Sequence, residues 1–310
     1  MQRFRAYLQL VRFPAVFTAL ADILLGYLLN HNALDAPRTL GLLGTSSACL
    51  YFSGMVFNDV FDREVDAGQR PGRPIPSGRV SVVAAIGLGA LLVIGGIAAA
   101  AAVSRQSLYV AFGLTAFIFA YDGFLKRTPC GPVAMGCCRF LNVMLGASAS
   151  FFVWATPQMF IAAGLGTYIV GVTWFARNEA TLSNRRQLGM AIGVVNLGLA
   201  MLIAFVLRAL IPALNQALAP LAGSGLGEAN PFVVLALLAL IVVAINVRLA
   251  SAWRDPVPGK VQAAVGLMLV SLIALDASLI LFKTGHIGYA AATAALIIPA
   301  KLLGRWIFIT

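Results

Sequence analysis

Asn58-Asp59-Val60-Phe61-Asp62-Arg63-Glu64-Val65-Asp66 is followed, after two small residues, by Gln69-Arg70-Pro71-Gly72-Arg73-Pro74-Ile75-Pro76-Ser77-Gly78-Arg79. Apolar runs flank this stretch at 39–60 and 81–104, each long enough to cross a hydrocarbon layer that takes about 20 helical residues. The stretch is therefore a charged turn between two membrane crossings. Of the chain's 11 acidic residues, four (Asp59, Asp62, Glu64, Asp66) fall within eight positions here. The Pro- and Gly-rich second half reads as a loop.

Working outward, the rest of the chain repeats the flanking pattern. Of 310 residues, 60% are hydrophobic and 11% charged, and mean hydropathy is +0.91; soluble domains carry about 25% charged residues. Ten apolar segments emerge, at 13–30, 39–60, 81–104, 107–125, 130–153, 158–180, 187–211, 231–252, 261–282 and 287–308. Pro299 and Lys301 interrupt the last. The first exceeds the roughly 7–15 residues of a signal-peptide core and contains Asp22, so it reads as a span. The expected fold is all-α, a multi-pass bundle of nine to ten transmembrane helices forming one domain over 1–310. Cys49, Cys130, Cys137 and Cys138 lack CxxC spacing and are expected to be free thiols.

Net charge is +11, yet its distribution argues against a nucleic-acid partner. Threading ten spans puts 17 Lys and Arg on the side of the acidic stretch and 4 (Arg38, Arg105, Arg208, Lys283) on the other, with Arg139 inside a span. The positive-inside rule then places both termini and the acidic stretch in the cytoplasm, and a bacterial inner membrane is the expected location. The exits of the second and sixth spans lie on that side, suggesting two similar four-helix blocks.

Asp59, Asp62 and Asp66 stand at i, i+3 and i+7, one face of a helix. Three carboxylates on one face repel unless a cation joins them, and Mg²⁺ binds through one or two carboxylates plus substrate phosphates. Asn58, one turn before Asp62, can add a carbonyl ligand or orient a carboxylate. Arg70, Arg73 and Arg79 match anionic oxygens in geometry. A charged run alone reads most simply as a solvated loop; this spacing at the end of a span favours a metal–phosphate site. With a membrane bundle beneath it, the substrate suggested is a polyprenyl diphosphate, head at the rim and tail between helices. Cations stabilise the departing diphosphate, and a closed site shields an electron-poor allylic carbon from water. Ionisable residues within spans are costly. Arg139 and Asn142, one turn apart, are expected either to face the pocket or, for Arg139, to snorkel; Asp22 and Asp276 are expected to pair with polar groups inside the bundle, in a structural or a functional role.

Asn58-Asp59-x-x-Asp62-x-x-x-Asp66 with Arg73-Pro74-Ile75-Pro76-Ser77-Gly78 resembles the first signature of the UbiA-type intramembrane aromatic prenyltransferases. Tyr121 with Lys126-Arg127, Arg139-Phe140-Leu141-Asn142 with Leu145-Gly146, and Arg12-Phe13-Pro14 are also similar to family segments. The resemblance implies nine helices around a central cavity open to lipid, and Mg²⁺-dependent transfer of a prenyl group to an aromatic or other small acceptor. It assigns catalysis to Asp59, Asp62 and Lys126. Substrate contacts fall to Asn58, Arg70, Arg73, Tyr121, Arg127, Arg139, Asn142 and Asn178, and metal ligation to Asp59, Asp62, Asp66 and Glu179. The second acidic motif departs from the family pattern: Glu179 keeps a carboxylate, whereas Val172 and Ser183 stand where acids are expected. That departure resembles an atypical, EboC-like branch. Two other classes compete. A transporter would use the same lipid-diphosphate pocket without chemistry; a CDP-alcohol phosphotransferase would need a D-G-x-x-A-R segment that the chain lacks.

Overall fold

The computed structural model describes residues 2–149, 156–177, 179, 182–222 and 227–308. The described residues are helical or connecting, without strands. The helices are α1 (Gln2–Leu10), α2 (Val16–Asn30), α3 (Pro37–Phe61), α4 (Arg63–Gln69), α5 (Val82–Ala101), α6 (Arg105–Ala120), α7 (Gly131–Ala147), α8 (Thr156–Ala176), α9 (Arg185–Leu207), α10 (Pro212–Ala222), α11 (Pro231–Arg254), α12 (Pro258–Thr284), α13 (Ile287–Ala295) and α14 (Ile297–Phe308).

Each of the ten expected spans contains a helix among the described residues, while 150–153 of the fifth and Asn178 and Ala180 of the sixth lie outside them. Nine helical stretches among the described residues are long and apolar enough to cross a membrane; α7, with 17 residues, is shorter. Local chemistry sets several starts. Asn230 caps α11 by accepting from Phe232 N at 2.9 Å, with Pro231 next, the arrangement its sequence predicts. Ser81 caps α5 through Ala84 N, and Asn184 caps α9 through Arg186 N. The last span divides at Leu296 into α13 and α14. Pro299 explains the break: it offers no N–H to the Ala295 carbonyl and its ring crowds that oxygen.

Helices α2 and α12 form the centre. Each of their spans is 61% buried, against 22% for the spans of α5, α6 and α11 and 6% for the last. Helix α2 packs on α3, α7, α8 and α12. Its approach to α7 is set by glycine: a Cβ on Gly146 would lie 2.6 Å from the Ile23 carbonyl oxygen. Small residues serve close helix contacts in membranes because van der Waals packing drives association there. A second, smaller apolar cluster (Ala6, Leu10, Val56, Val60, Ile75, Val80) joins α1, α3 and the loop between α4 and α5. All four cysteines are free.

Candidate active site

The helix read as carrying three aspartates on one face is two helices. α3 stops at Phe61, Asp62 takes φ −88° and ψ 0°, and α4 starts at Arg63. The hydrogen bonds Asp62 N→Asn58 O (3.0 Å) and Asp66 N→Asp62 O (2.8 Å) carry the spiral through the joint. Asp59 and Asp66 are buried at 4% and 5% exposure, and Asp62 is half-buried. Glu64, the fourth acid, lies outside and pairs with Arg63 on the surface at 3.1 Å.

The arginine loop is anchored. Ile75 and Val80 are buried beneath it. Gly78 supplies a left-handed turn at φ 72°, a conformation that favours glycine. The Ser77 hydroxyl donates to Arg73 O at 2.6 Å. Arg79 is fully engaged, donating to Ser77 Oγ (2.9 Å), Gln9 Oε1 (2.9 Å) and Gly72 O (2.5 Å). Held this way, the loop presents Arg73, whose Nη1 lies 3.2 Å from Asp59 Oδ1 and 2.5 Å from Asp66 Oδ2. One guanidinium nitrogen thus stands where two carboxylates converge.

From the other side comes a π turn at Tyr121–Leu125, closed by Lys126 N→Tyr121 O at 2.9 Å. Such turns concentrate at functional sites. This one ends with Lys126 Nζ 2.8 Å from Asp62 Oδ1, and Arg127 reaches the same oxygen at 3.3 Å. Tyr121 stands close enough to Asp122, Arg12 and Asp62 to feel their charges. Asp122 is buried beside Asn58. We orient the Asn58 amide to donate to Asp122 Oδ1 (3.1 Å) and accept from Arg12 Nη2 (3.2 Å), because the opposite orientation sets like atoms against each other.

Arg12 was legible as part of Arg12-Phe13-Pro14 but carried no assigned role. It reaches Asp59 at 3.4 Å. Among the described residues it alone, apart from glycine, has positive φ, at 48°. A side-chain-bearing residue there costs free energy that its surroundings must offset, and the strained turn aims its guanidinium at the rim. Glu179 joins the same side of the bundle. Burial pushes its carboxyl up, while Arg70 and then Arg12 pull it back, so all three groups lie within Coulombic reach. Asn178 lies outside the described residues.

The structure therefore brings together Asn58, Asp59, Asp62, Asp66, Arg73, Tyr121, Lys126 and Arg127, with Arg70 and Glu179 nearby and Arg12 and Asp122 added. It does not bring in Arg139 and Asn142. These belong to a second cluster within the bundle. Arg139 Nε lies 2.8 Å from Asp22 Oδ2, and its Nη2 lies 4.0 Å from Asp276. Arg139 also donates to Thr18 O at 3.0 Å. Asn142 donates to Ala19 O and Asp22, and accepts from Ser47. The expected pairing of Asp22 and Asp276 with polar groups inside the bundle is what the helices adopt.

Among the described residues no group of three or more His, Cys, Asp or Glu is gathered tightly enough to hold a metal. The donor set still suits one. Asp59, Asp62 and Asp66 offer hard oxygens of the kind Mg²⁺ takes, and Arg73 Nη1 already marks a point between two of them as favourable for positive charge.

The UbiA prenyltransferase family profile matches residues 19–273. The digeranylgeranylglyceryl phosphate synthase of Methanopyrus kandleri is 32% identical over 287 residues, covering 89% of this chain and all of that one. Among solved structures, an apo UbiA homologue from Aeropyrum pernix superposes with TM-score 0.67 at 20% identity, over 86% of this chain and 97% of that one. A UbiA homologue from Archaeoglobus fulgidus bound to GPP and Mg²⁺ gives 0.57 at 17% identity, over 94% and 99%. These relatives are archaeal and none is EboC-like by name, so neither the EboC-like branch nor the bacterial membrane gains support from them.

Proposed function

The chain belongs to the UbiA prenyltransferase family and is an integral, multi-pass membrane enzyme; from that premise we propose that it transfers a prenyl group from a polyprenyl diphosphate to a small acceptor and requires Mg²⁺. The carrying observation is the convergence of Asp59 and Asp66 on one cationic nitrogen of Arg73, beside Asp62 gripped by Lys126 and Arg127. Asp59, Asp62 and Asp66 would hold the metal, with Glu179 from the facing exit. When bound, Mg²⁺ neutralises charge on the diphosphate oxygens.

The chain's own groups do the rest. Arg70 and Arg73 turn toward the diphosphate and fix its orientation. Lys126 and Arg127 compensate the negative charge that grows on the leaving oxygen as the allylic C–O bond breaks, where fixed cations are most effective. Helices around the tail keep water from the electron-poor carbon until the acceptor attacks it. We place the whole chain, 1–310, in one catalytic domain. The 17-to-4 split of Lys and Arg supports an orientation with the rim in the cytoplasm. The reading is tested by incubating purified protein with Mg²⁺ and a panel of prenyl diphosphates and acceptors. Mass spectrometry should detect prenylated product and diphosphate, both lost in Asp59→Ala protein that still folds. Undiminished product from that variant would overturn it.

A further inference from the structure

Helices α11 and α12 leave a groove where they approach their connecting turn, a hollow of about 420 Å³ lined by Val247, Ala250, Ser251, Arg254 and Lys260. None of these residues belongs to the rim cluster. The four from α11 stand at i, i+3, i+4 and i+7 and so form one stripe of that helix. The stripe changes character along its length. Val247 is apolar and exposed, Ala250 and Ser251 are small enough to let the surface recede, and Arg254 is a cation. The span of α11 is only 22% buried, so the stripe's apolar part faces hydrocarbon. Its charged end lies on the rim side of the bundle. There Ser183 N donates to Pro256 O at 3.2 Å and Gln262 Nε2 to Glu179 O at 3.3 Å, tying the α11–α12 turn to the residue that approaches Arg70.

The electrostatics of that end favour an anion. Arg254 engages its neighbours through its backbone carbonyl, which accepts from Arg185 Nη2 at 2.6 Å, while its guanidinium makes no hydrogen bond or ion pair with another described residue. The same Arg185 contact offsets the partial negative charge at the end of α11. Lys260 Nζ pairs with Asp255 at 2.8 Å, with both side chains about half exposed; such a pair is weak and gives way to a better-placed anion. One positive charge remains when that pair is counted. Lys260 also stands in the first turn of α12, where the helix dipole favours negative charge. Trp253 fixes the depth. It is partly exposed and donates Nε1 to Arg185 O at 3.1 Å, the posture of a tryptophan at a membrane–water boundary, so its neighbour Arg254 sits among headgroups.

The geometry points to a resident anionic phospholipid in this groove, its phosphodiester between Arg254 and Lys260, the Ser251 hydroxyl donating to it, and one acyl chain lying along Ala250 and Val247. Basic pockets between membrane helices take such headgroups. A zwitterionic lipid would bring its own cation to an end that already has an excess of positive charge. Free phosphate would leave the apolar part of the stripe unused. The lipid is a bound component of the bilayer and takes no part in the reaction, so this assignment stands apart from the prenyl-transfer reading.

The test places the 310-residue chain in nanodiscs of phosphatidylcholine and phosphatidylglycerol in equal parts and reads the retained lipid by native mass spectrometry. Wild type should keep phosphatidylglycerol in preference to phosphatidylcholine. Arg254→Gln should weaken that retention roughly 5- to 10-fold, the scale of one basic residue beside a charged lipid. Ser251→Leu, which fills the groove without removing a charge, should weaken it too. Arg248→Gln takes an equal charge from the same helix outside the groove wall and should behave as wild type. In detergent, added phosphatidylglycerol should raise the unfolding temperature of wild type more than that of Arg254→Gln, and inorganic phosphate should raise neither. Equal retention of the two lipids by wild type, or unchanged retention by Arg254→Gln, would overturn the proposal. An equal loss in Arg248→Gln would also overturn it, by reducing the effect to general surface charge. Protection by inorganic phosphate matching that by the lipid would assign the groove to a free anion and count against it equally.

Discussion

Two clusters built from the same residue types behave as opposites. At the rim, Asp59, Asp62 and Asp66 face Arg12, Arg73, Lys126 and Arg127 beside an open hollow. Midway along the bundle, Asp22 and Asp276 are wholly buried and share one guanidinium, that of Arg139. Asp59 and Asp66 are themselves buried, but Arg12 and Arg127 are partly exposed and the rim borders an open hollow, so its cations can change partners when an anion arrives. The interior group cannot exchange. Removing Arg139 strands its carboxylates where no solvent reaches them. Like chemistry thus serves reactivity at one depth and helix placement at the other.

The most severe way to break the contrast is Arg139→Met, which leaves two buried carboxylates without a cation. It should cost about 3–5 kcal/mol, read as loss of folded protein by thermal unfolding in detergent. Next comes Asp62→Ala at the rim. Turnover should fall about 10²- to 10³-fold, comparable to removing one preorganised electrostatic group, while the unfolding temperature stays near wild type. An equal loss of stability at both sites would erase the distinction. The interior cluster also predicts an asymmetry between its acids. Asp22→Asn removes the carboxylate in direct contact with Arg139 and should destabilise. Asp276→Asn relieves an excess negative charge whose two oxygens find no hydrogen-bond donor and should be neutral or stabilising by about 1 kcal/mol.

A neutral interior pair sharpens the scale. Asn196 and Asn246 exchange amide hydrogen bonds at 3.0 and 2.9 Å between α9 and α11. A double-mutant cycle to Ala should return only about 0.6 kcal/mol, the average for such contacts in membranes. The smallest effect belongs to the end of the bundle away from the rim. There the Tyr27 hydroxyl donates to Asp35 at 2.6 Å, and that bond, assisted by His31, holds the exposed Asp35 carboxyl below its ordinary range. A depressed folded-state value stabilises above the ordinary carboxylate value and is lost as pH falls through the depressed one. A Tyr27→Phe variant should therefore show a shallower acid-side loss of stability than wild type.

Much of this was readable from residues alone. Ten helices followed from the apolar runs, because a bilayer leaves no other way to satisfy the backbone of an isolated span. The start of α11 was written in Asn230-Pro231. The rim acids were legible because Asp59, Asp62 and Asp66 recur at helical spacing, although the joint at Asp62 was not. The bonds Asp62 N→Asn58 O and Asp66 N→Asp62 O keep helical spacing through the joint, so the spacing alone does not announce it. Arg12 escaped assignment because its role depends on a left-handed backbone that no sequence pattern announces. Arg139 and Asn142 were drawn toward the site by their type. Only the three-dimensional neighbourhood shows that Asp22, more than a hundred residues earlier, had already claimed them.

Gln9 donates its amide N–H to the Ile307 carbonyl at 2.9 Å while its oxygen accepts a hydrogen bond from Arg79 at 2.9 Å. The first helix, the last, and the arginine loop are thus latched at a single side chain. During synthesis the chain reaches residue 79 long before residue 307, so the rim is assembled early but stays unfastened. The bond to Ile307 can form only once the closing turns of the polypeptide have been made. A chain made as far as Glu179 therefore carries every charged group the chemistry calls for without the fastening that sets them in place.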